Sequence, residues 1–255
     1  MLDGLNKQQL EAVVNSFDSN CLVIAGAGAG KTRVLTTRIA YAIKELEVSD
    51  SSIMAITFTN KAAKEMLERI NKTVDASNMW IGTYHYICIR ILKMFGSEIG
   101  LDYFSILLPK ESKKIAFTIL NNMRVPATKQ LVNNYLNKIS DCKGELKTYQ
   151  NVKKEVALGK LSKEKYDDEF LTFYEEFQNY NWNSHMLDFD DIILYTVTLI
   201  KKSRETREYI HNRFKYVFGD ESQDSNTANM VLMMLISGGN NLFLVGKLVA
   251  HVKPH

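Results

Sequence analysis

Residues 25–32, which read Ala-Gly-Ala-Gly-Ala-Gly-Lys-Thr, constrain this chain more than any other stretch. They follow a short apolar run at 21–24 that predicts a buried strand. They lead into residues 31–45, where apolar side chains recur at helical spacing. Glycines let successive backbone N–H groups point toward phosphate oxygens, and a helix N-terminus adds partial positive charge. Strand, glycine-rich turn and helix therefore predict a phosphate-binding loop, with a plain turn and a surface lysine as the alternative.

The side chains of this loop, and of the segment before it, suit ATP and Mg²⁺. Lys31 is expected to reach the β and γ phosphates, and the Thr32 hydroxyl is expected to hold Mg²⁺. The backbone that would enclose the phosphates belongs to Gly26, Ala27, Gly28, Ala29 and Gly30. A short helix predicted at 5–13 carries Gln9, whose amide can donate to and accept from the edge of adenine. Its apolar side is predicted to comprise Leu5, Leu10, Val13 and Val14, so docking of the N-terminus is the alternative role.

A pair of carboxylates follows a later apolar strand. Residues 216–219 predict a strand that ends in Asp220 and Glu221. Adjacent carboxylates at a strand end can divide two tasks. Asp220 would hold Mg²⁺ through water, and Glu221 would orient or deprotonate the attacking water. The alternative is an acidic turn between a strand and a helix.

The remaining apolar segments predict an α/β fold. Continuous apolar strands at 53–58 and 80–82, a last strand at 242–246 and the helical repeats between them indicate a parallel sheet with helices on its faces. From about Ile106 to Met186 no strand is predicted, and three helical repeats indicate an inserted α-helical subdomain.

The third repeat of that insertion is an aromatic stripe between Tyr166 and Tyr180. Such stripes can stack bases, but this spacing is more typical of core packing, which we predict here. The lysines between the repeats are predicted to form a solvated face; they include Lys143, Lys147, Lys153, Lys154 and Lys160.

Composition bounds the class of protein without choosing a partner. A formal net charge of +3 is compatible with nucleic acid but does not indicate it. Three scattered cysteines, Cys21, Cys88 and Cys142, predict a reducing compartment and no zinc site. No signal peptide is visible, and the longest apolar runs are too short to span a bilayer. We therefore expect a cytoplasmic protein with no membrane partner.

Six segments carry the signal of a family. They are LNKQQLEAV at 5–13, AGAGAGKTR at 25–33, ITFTNKAAKEM at 56–66, GTYH at 82–85, DFDD at 188–191 and DESQDSN at 220–226. Together they resemble the first motor domain of the UvrD/Rep-type superfamily-one DNA helicases. A phosphate loop that begins with alanine is usual in this family. The resemblance implies a RecA-like P-loop NTPase fold, and a motor that couples ATP hydrolysis to 3′–5′ translocation and duplex unwinding.

The resemblance also implies roles for single residues. The catalytic residues would be Lys31, Glu221 and Gln223. Among them, Gln223 would sense the γ-phosphate and couple it to DNA. Gln9 and Arg33 would lie at the adenine base, and Thr32 and Asp220 would hold the metal. The residues that would contact single-stranded DNA are Thr57, Phe58, Thr59, Asn60, Tyr84 and His85. The implied partners are single-stranded DNA, a duplex junction and a second motor domain.

The same resemblance divides the chain. Residues 1–105 and 187–246 would form the two parts of the RecA-like motor domain, and 106–186 would form the inserted all-α accessory subdomain. Residues 247–255 do not match the family, since Lys247 to Ala250 stand where it has an aspartate and a glutamine. We therefore expect a fragment with a foreign tail, without the second motor domain and its arginines.

Other departures are smaller. Tyr84 and Tyr86 stand where the family usually has Phe and Ser. Gly219 replaces an aliphatic residue, which predicts a less well packed strand end. Three classes of function stay open: the ATP-binding half of a motor, a truncated module that binds ATP or DNA without doing work, and a regulatory P-loop switch with no nucleic acid.

Overall fold

The computed structural model describes residues 1–26, 28–220 and 226–246. Within them the strands are β1 (Cys21–Ile24), β2 (Ile53–Thr57), β3 (Trp80–Thr83), β4 (Ser105–Ile106), β5 (Met186–Leu187), β6 (Tyr216–Gly219) and β7 (Asn241–Gly246). The helices are α1 (Lys7–Val14), α2 (Lys31–Glu45), α3 (Asn60–Asn71), α4 (Tyr84–Phe95), α5 (Pro109–Asn122), α6 (Lys129–Gly144), α7 (Tyr149–Ala157), α8 (Asp168–Asn183), α9 (Phe189–Lys202), α10 (Arg204–Arg213) and α11 (Thr227–Ser237).

Five strands form one parallel sheet in the order β1-β7-β6-β2-β3. The continuous apolar run of β2 is buried along its whole length, as a strand covered on both faces requires. The predicted fold class is therefore confirmed. Because every strand runs the same way, the described segments that follow β1, β2, β3 and β6 all leave from one edge of the sheet.

The chain packs into two compact units. Among the described residues, the sheet unit comprises 1–90 without 27, 200–220 and 230–246, and the helical unit comprises Ile91–Leu199 with Asn226–Asn229. In the sheet unit, α2 and α3 pack on the apolar sheet residues around Phe218, Phe243 and Val245. The domain boundaries drawn from the sequence stay a prediction.

The aromatic stripe is the core of the helical unit. Phe170, Phe173, Tyr174 and Phe177 are fully buried on α8, so the prediction of core packing is confirmed. β4 and β5 form a parallel pair at the two ends of the segment predicted to lack strands. With two residues each, these strands are too short for sequence periodicity to indicate.

Lys143 contradicts the prediction of a solvated lysine face. Its side chain is fully buried near the end of α6, with Nζ 2.6 Å from Asp188 Oδ2 and 2.7 Å from Asp191 Oδ1. Asp188 also caps α9 by accepting from the Asp191 amide at 2.8 Å. The two carboxylates of the DFDD segment compensate the buried ammonium, which is why a lysine can lie inside this core.

The part of the chain that the structure describes contains no helix that is both long enough and apolar enough to cross a bilayer.

Candidate nucleotide and DNA site

The predicted site residues of the sheet unit gather at one edge of the sheet. The phosphate loop follows β1, Asp220 follows β6, and the DNA-contact candidates follow β2 and β3. β7 lies between β1 and β6, and β6 pairs directly with β2. The candidate nucleotide-binding residues thus lie where β1 and β6 end, and the candidate DNA-binding residues lie where β2 and β3 end.

The loop after β1 has the backbone geometry that its glycines permit. Gly28 and Gly30 have φ of +75° and +81°, a region that side-chain-bearing residues rarely adopt. Gly30 is the N-cap of α2, so the first free N–H groups of that helix belong to this loop. Lys31 Nζ donates to the carbonyls of Gly26 at 2.8 Å and Ala25 at 3.2 Å. The ammonium and the helix N-terminus therefore lie together, as a phosphate site requires.

Thr32 and Asp220 meet although 188 positions separate them. The Thr32 hydroxyl donates to Asp220 Oδ2 at 3.0 Å, and Asp220 itself is 4% exposed. No group of three or more His, Cys, Asp or Glu side chains that could hold a metal occurs within 1–26, 28–220 and 226–246. Mg²⁺ usually takes one or two carboxylates together with phosphate oxygens and water. One hydroxyl and one carboxylate beside a phosphate loop fit that pattern.

Gln9 and Arg33 line a cleft of about 560 Å³ next to the loop. The Gln9 side-chain amide donates from Nε2 to the Ala29 carbonyl at 2.9 Å, and its Oε1 accepts from the Asn6 backbone N–H at 3.1 Å. A Cβ on Gly30 would lie 2.9 Å from Gln9 Nε2, so this glycine also admits the amide. Arg33 donates to the Asp3 carbonyl at 3.2 Å. The structure thus brings both predicted base-contact residues to the loop.

The DNA-contact candidates divide into buried and accessible side chains. Thr57 is fully buried, and Thr59 caps α3 by accepting from the Ala62 amide at 3.1 Å. Asn60 is exposed at the start of α3, and His85 is half-buried on α4. The half-buried Phe58 ring lies 5.3 Å from the ring of Tyr84, which is only 3% exposed. The buried Tyr84 ring therefore packs against the Phe58 ring, and Phe58 is the more accessible of the two.

Several predictions fall outside the described residues: Ala27, Glu221, Gln223 and the tail 247–255. The prediction about Gly219 is wrong. A Cβ there would lie 2.7 Å from Leu244 Cδ2 and 2.9 Å from Met233 Cε, so the strand end is tightly packed. Neighbouring side chains fill the space that the family's aliphatic residue would take.

Two buried cations, Arg38 and Lys143, are not among the residues predicted to be buried from the sequence. Arg38, which is 2% exposed, stands between the buried Leu35 and Ala42 in the helical repeat of α2. A basic residue on an apolar stripe was a readable signal of a buried, paired charge. Lys143 carried no such signal, because its partners lie 45 residues or more along the chain.

A sequence model described as the UvrD/REP helicase N-terminal domain matches residues 5–247. The chain belongs to this family. Its relatives include the ATP-dependent DNA helicase PcrA of Staphylococcus aureus, 38% identical over 250 residues, and that of Staphylococcus epidermidis, 37% identical. Both alignments cover 96% of this chain and 33% of the relative. The chain thus spans about a third of the length of the curated relatives it matches, and the resemblance read from six segments is confirmed at the level of the family.

Proposed function

We propose that this chain is the ATP-binding and single-stranded-DNA-binding N-terminal part of a UvrD/Rep helicase, which couples ATP hydrolysis to 3′–5′ translocation and duplex unwinding. The contact between Thr32 and Asp220 is the observation that carries the proposal. The parallel sheet brings the hydroxyl at the start of α2 and the carboxylate after β6 together beside the phosphate loop. A hydroxyl and a carboxylate next to phosphate oxygens are ligands that Mg²⁺ takes in proteins.

In the nucleotide half, Lys31 binds the β and γ phosphates, and the loop backbone from Gly26 to Gly30 surrounds them. Gln9 and Arg33 hold the adenine base in the adjoining cleft. Thr32 and Asp220 hold Mg²⁺, which when bound neutralises charge on the phosphate oxygens. Glu221 orients or deprotonates the attacking water, and Gln223 senses the γ-phosphate.

In the DNA half, single-stranded DNA passes over the ends of β2 and β3. Phe58 and His85 offer ring faces on which bases stack without sequence preference, and Thr57, Thr59, Asn60 and Tyr84 shape the path. The Asp220 amide donates to the Ile56 carbonyl at 3.0 Å. The backbone of the residue that supplies the metal carboxylate is therefore hydrogen-bonded to the strand that leads into Phe58, and this contact is the proposed route by which a change at the phosphate reaches the DNA.

We further propose that these 255 residues alone turn over ATP slowly and unwind nothing. The family resemblance assigns the arginines that neutralise the γ-phosphate to a second motor domain. An arginine of this kind is worth about 10³–10⁵ in turnover. Unwinding also needs two domains that close and open around each nucleotide.

The cheapest test measures Mg-ATP binding by the chain itself as a shift in its thermal unfolding temperature. Ligand at about a hundred times its Kd stabilises a protein by roughly 2.7 kcal/mol, which is a melting shift of about 5–10 °C at this size. Lys31→Ala should abolish the shift. Lys44→Ala, an exposed lysine on the same helix, is the matched control and should keep it.

Two results would defeat the proposal. One is the absence of any shift with millimolar Mg-ATP. The other is an equal shift for the wild type and Lys31→Ala. A regulatory switch without nucleic acid would bind Mg-ATP normally but leave the polarisation of labelled oligo-dT unchanged.

A further inference from the structure

Arg38 makes an unusual set of contacts for a residue outside the proposed site. Its guanidinium carbon lies 3.7 Å from the ring centroid of Phe17 and 4.6 Å from that of Phe243. Its Nη1 and Nη2 atoms donate four hydrogen bonds, each of 3.0 Å, to the carbonyls of Ala12, Val13, Asn15 and Ser16. All four acceptors belong to the last turn of α1 and the residues just after it. Those of Ala12, Val13 and Asn15 are among the carbonyls that a helix end leaves without partners.

Apolar burial accounts for only part of how this helix is held. α1 has eight residues, a length at which an isolated helix is marginal in water. Val13 is its only fully buried residue, whereas Leu10 is 38% exposed and Val14 is 42% exposed. Two of the four residues on the apolar side predicted from the sequence are thus exposed. Arg38 therefore holds the C-terminal end of α1 by hydrogen bonds, in addition to the packing of Val13 and Ala12 on the core.

The charge on Arg38 suits this position. Burial lowers the pKa of Arg38 to about 10, so the guanidinium stays protonated at neutral pH. A cation at the C-terminal end of a helix is attracted by the partial negative charge of the carbonyls there. Two aromatic rings add cation–π contact from the sides. The same α2 helix that begins with Lys31 and Thr32 thereby fixes α1.

The other end of α1 carries Gln9. A capping box with Asn6 and the bond to the Ala29 carbonyl hold the Gln9 amide beside the phosphate loop. We propose that Arg38 is a positioning residue for base selectivity: by anchoring the C-terminal end of α1, it fixes the amide that discriminates adenine. This inference rests on the proposed function, in which Gln9 reads the base.

The test separates base recognition from phosphate recognition. Isothermal titration would compare Mg-ATP, Mg-GTP and Mg-tripolyphosphate on the wild type, Arg38→Met and Arg38→Lys. Arg38→Met should weaken the binding of Mg-ATP about tenfold, the worth of two neutral hydrogen bonds, and leave the affinity for Mg-tripolyphosphate unchanged. Its preference for Mg-ATP over Mg-GTP should fall accordingly. Arg38→Lys keeps the charge with fewer hydrogen-bond donors, so its affinity for Mg-ATP should lie between those of the wild type and Arg38→Met. Ile39→Ala, a buried neighbour on the same helix, is the control for lost packing and should preserve the ratio of ATP to tripolyphosphate affinity.

Hydrogen exchange of the free chain gives a second readout that needs no ligand. The amides of Leu10 and Asn15, which donate within α1, should exchange faster in Arg38→Met and Arg38→Lys. They should stay as protected in Ile39→Ala as in the wild type. If Arg38→Met does not fold, Arg38→Lys decides by the same two measurements.

The outcomes are distinguishable. A preserved affinity ratio in the Arg38 variants, or unchanged exchange in α1, overturns the inference. A wild type that binds ATP and tripolyphosphate with equal affinity also overturns it, because Gln9 would then not recognise the base and Arg38 could not position it for that role. A wild type that binds neither defeats the proposed function, while the exchange rates still decide whether Arg38 anchors α1.

Discussion

The buried cluster of Lys143, Asp188 and Asp191 makes the stability of the helical unit depend on pH. Burial raises the pKa of Asp191 to about 7, and repulsion from Asp188 acts in the same direction against the attraction of Lys143. Burial also opposes the charge on Asp188, but Lys143 outweighs it and holds the pKa of that carboxyl below its usual range. The cluster thus has one ammonium for two carboxylates, and Asp191 takes up a proton.

The sign of this pH dependence follows from the number of protons that the folded and unfolded states bind. Between about pH 4 and pH 7 the folded state holds a proton on Asp191 that the unfolded chain has released, so the free energy of unfolding falls as pH rises. One pH unit in this window is worth about 1.4 kcal/mol, so Asp191 contributes a loss of about 3 kcal/mol between pH 5 and pH 8. Burial also raises the pKa values of the Tyr174 and Tyr195 phenols, which therefore stay neutral throughout.

Urea unfolding would be followed at pH 5 and pH 8 in a Trp80→Phe background, where Trp182 fluorescence reports the helical unit. Asp191→Asn should remove the loss of about 3 kcal/mol that the parent shows, whereas the exposed control Asp102→Asn should keep it. Lys143→Met leaves the buried Asp191 and the partly buried Asp188 without a cation and should cost about 3–5 kcal/mol, most severely at pH 8. Lys154→Met, an exposed lysine of the same unit, should cost almost nothing. Equal pH dependence in Asp191→Asn and its parent would refute the reasoning.

Three further predictions concern the sheet unit. Phe58→Ala should weaken oligo-dT binding by about 1–3 kcal/mol with the circular dichroism spectrum unchanged, and an unaltered Kd would mean that Phe58 only packs against Tyr84. Gly219→Ala should lower the free energy of unfolding by about 1–2 kcal/mol, because its Cβ meets terminal methyl groups that must move; a stabilised variant would contradict the packing. In a coupled assay with oligo-dT, ATP turnover should be far slower for this chain than for a longer one that includes the second motor domain. Fast DNA-stimulated turnover by this chain, lost in Glu221→Gln, would contradict that view.

The strands and the phosphate loop were predictable because each depends on local sequence. β2 could be identified from a continuous apolar run, and the phosphate loop from glycines between a strand and a helix. Once the strands are parallel, the segments that follow them share an edge. The meeting of Thr32 and Asp220 follows from that topology rather than from either motif alone.

What escaped prediction depends on long-range packing. Lys143 was assigned to solvent because its neighbours in sequence are polar, while its carboxylate partners lie on another helix. Gly219 was expected to loosen a strand end that Leu244 and Met233 in fact fill. The exposure of Leu10 and Val14 shows that an apolar pattern on a short helix does not establish burial.

The most direct test of the account is the Mg²⁺ dependence of ATP binding, measured by isothermal titration with Mg²⁺ or with EDTA. The wild type and Asp102→Asn should bind ATP much more tightly with Mg²⁺. Asp220→Asn should bind equally weakly under both conditions, since Lys31 still holds the phosphates but the metal has lost its carboxylate. An Mg²⁺ effect as large in Asp220→Asn as in the wild type would contradict the assignment of Thr32 and Asp220 as the metal site.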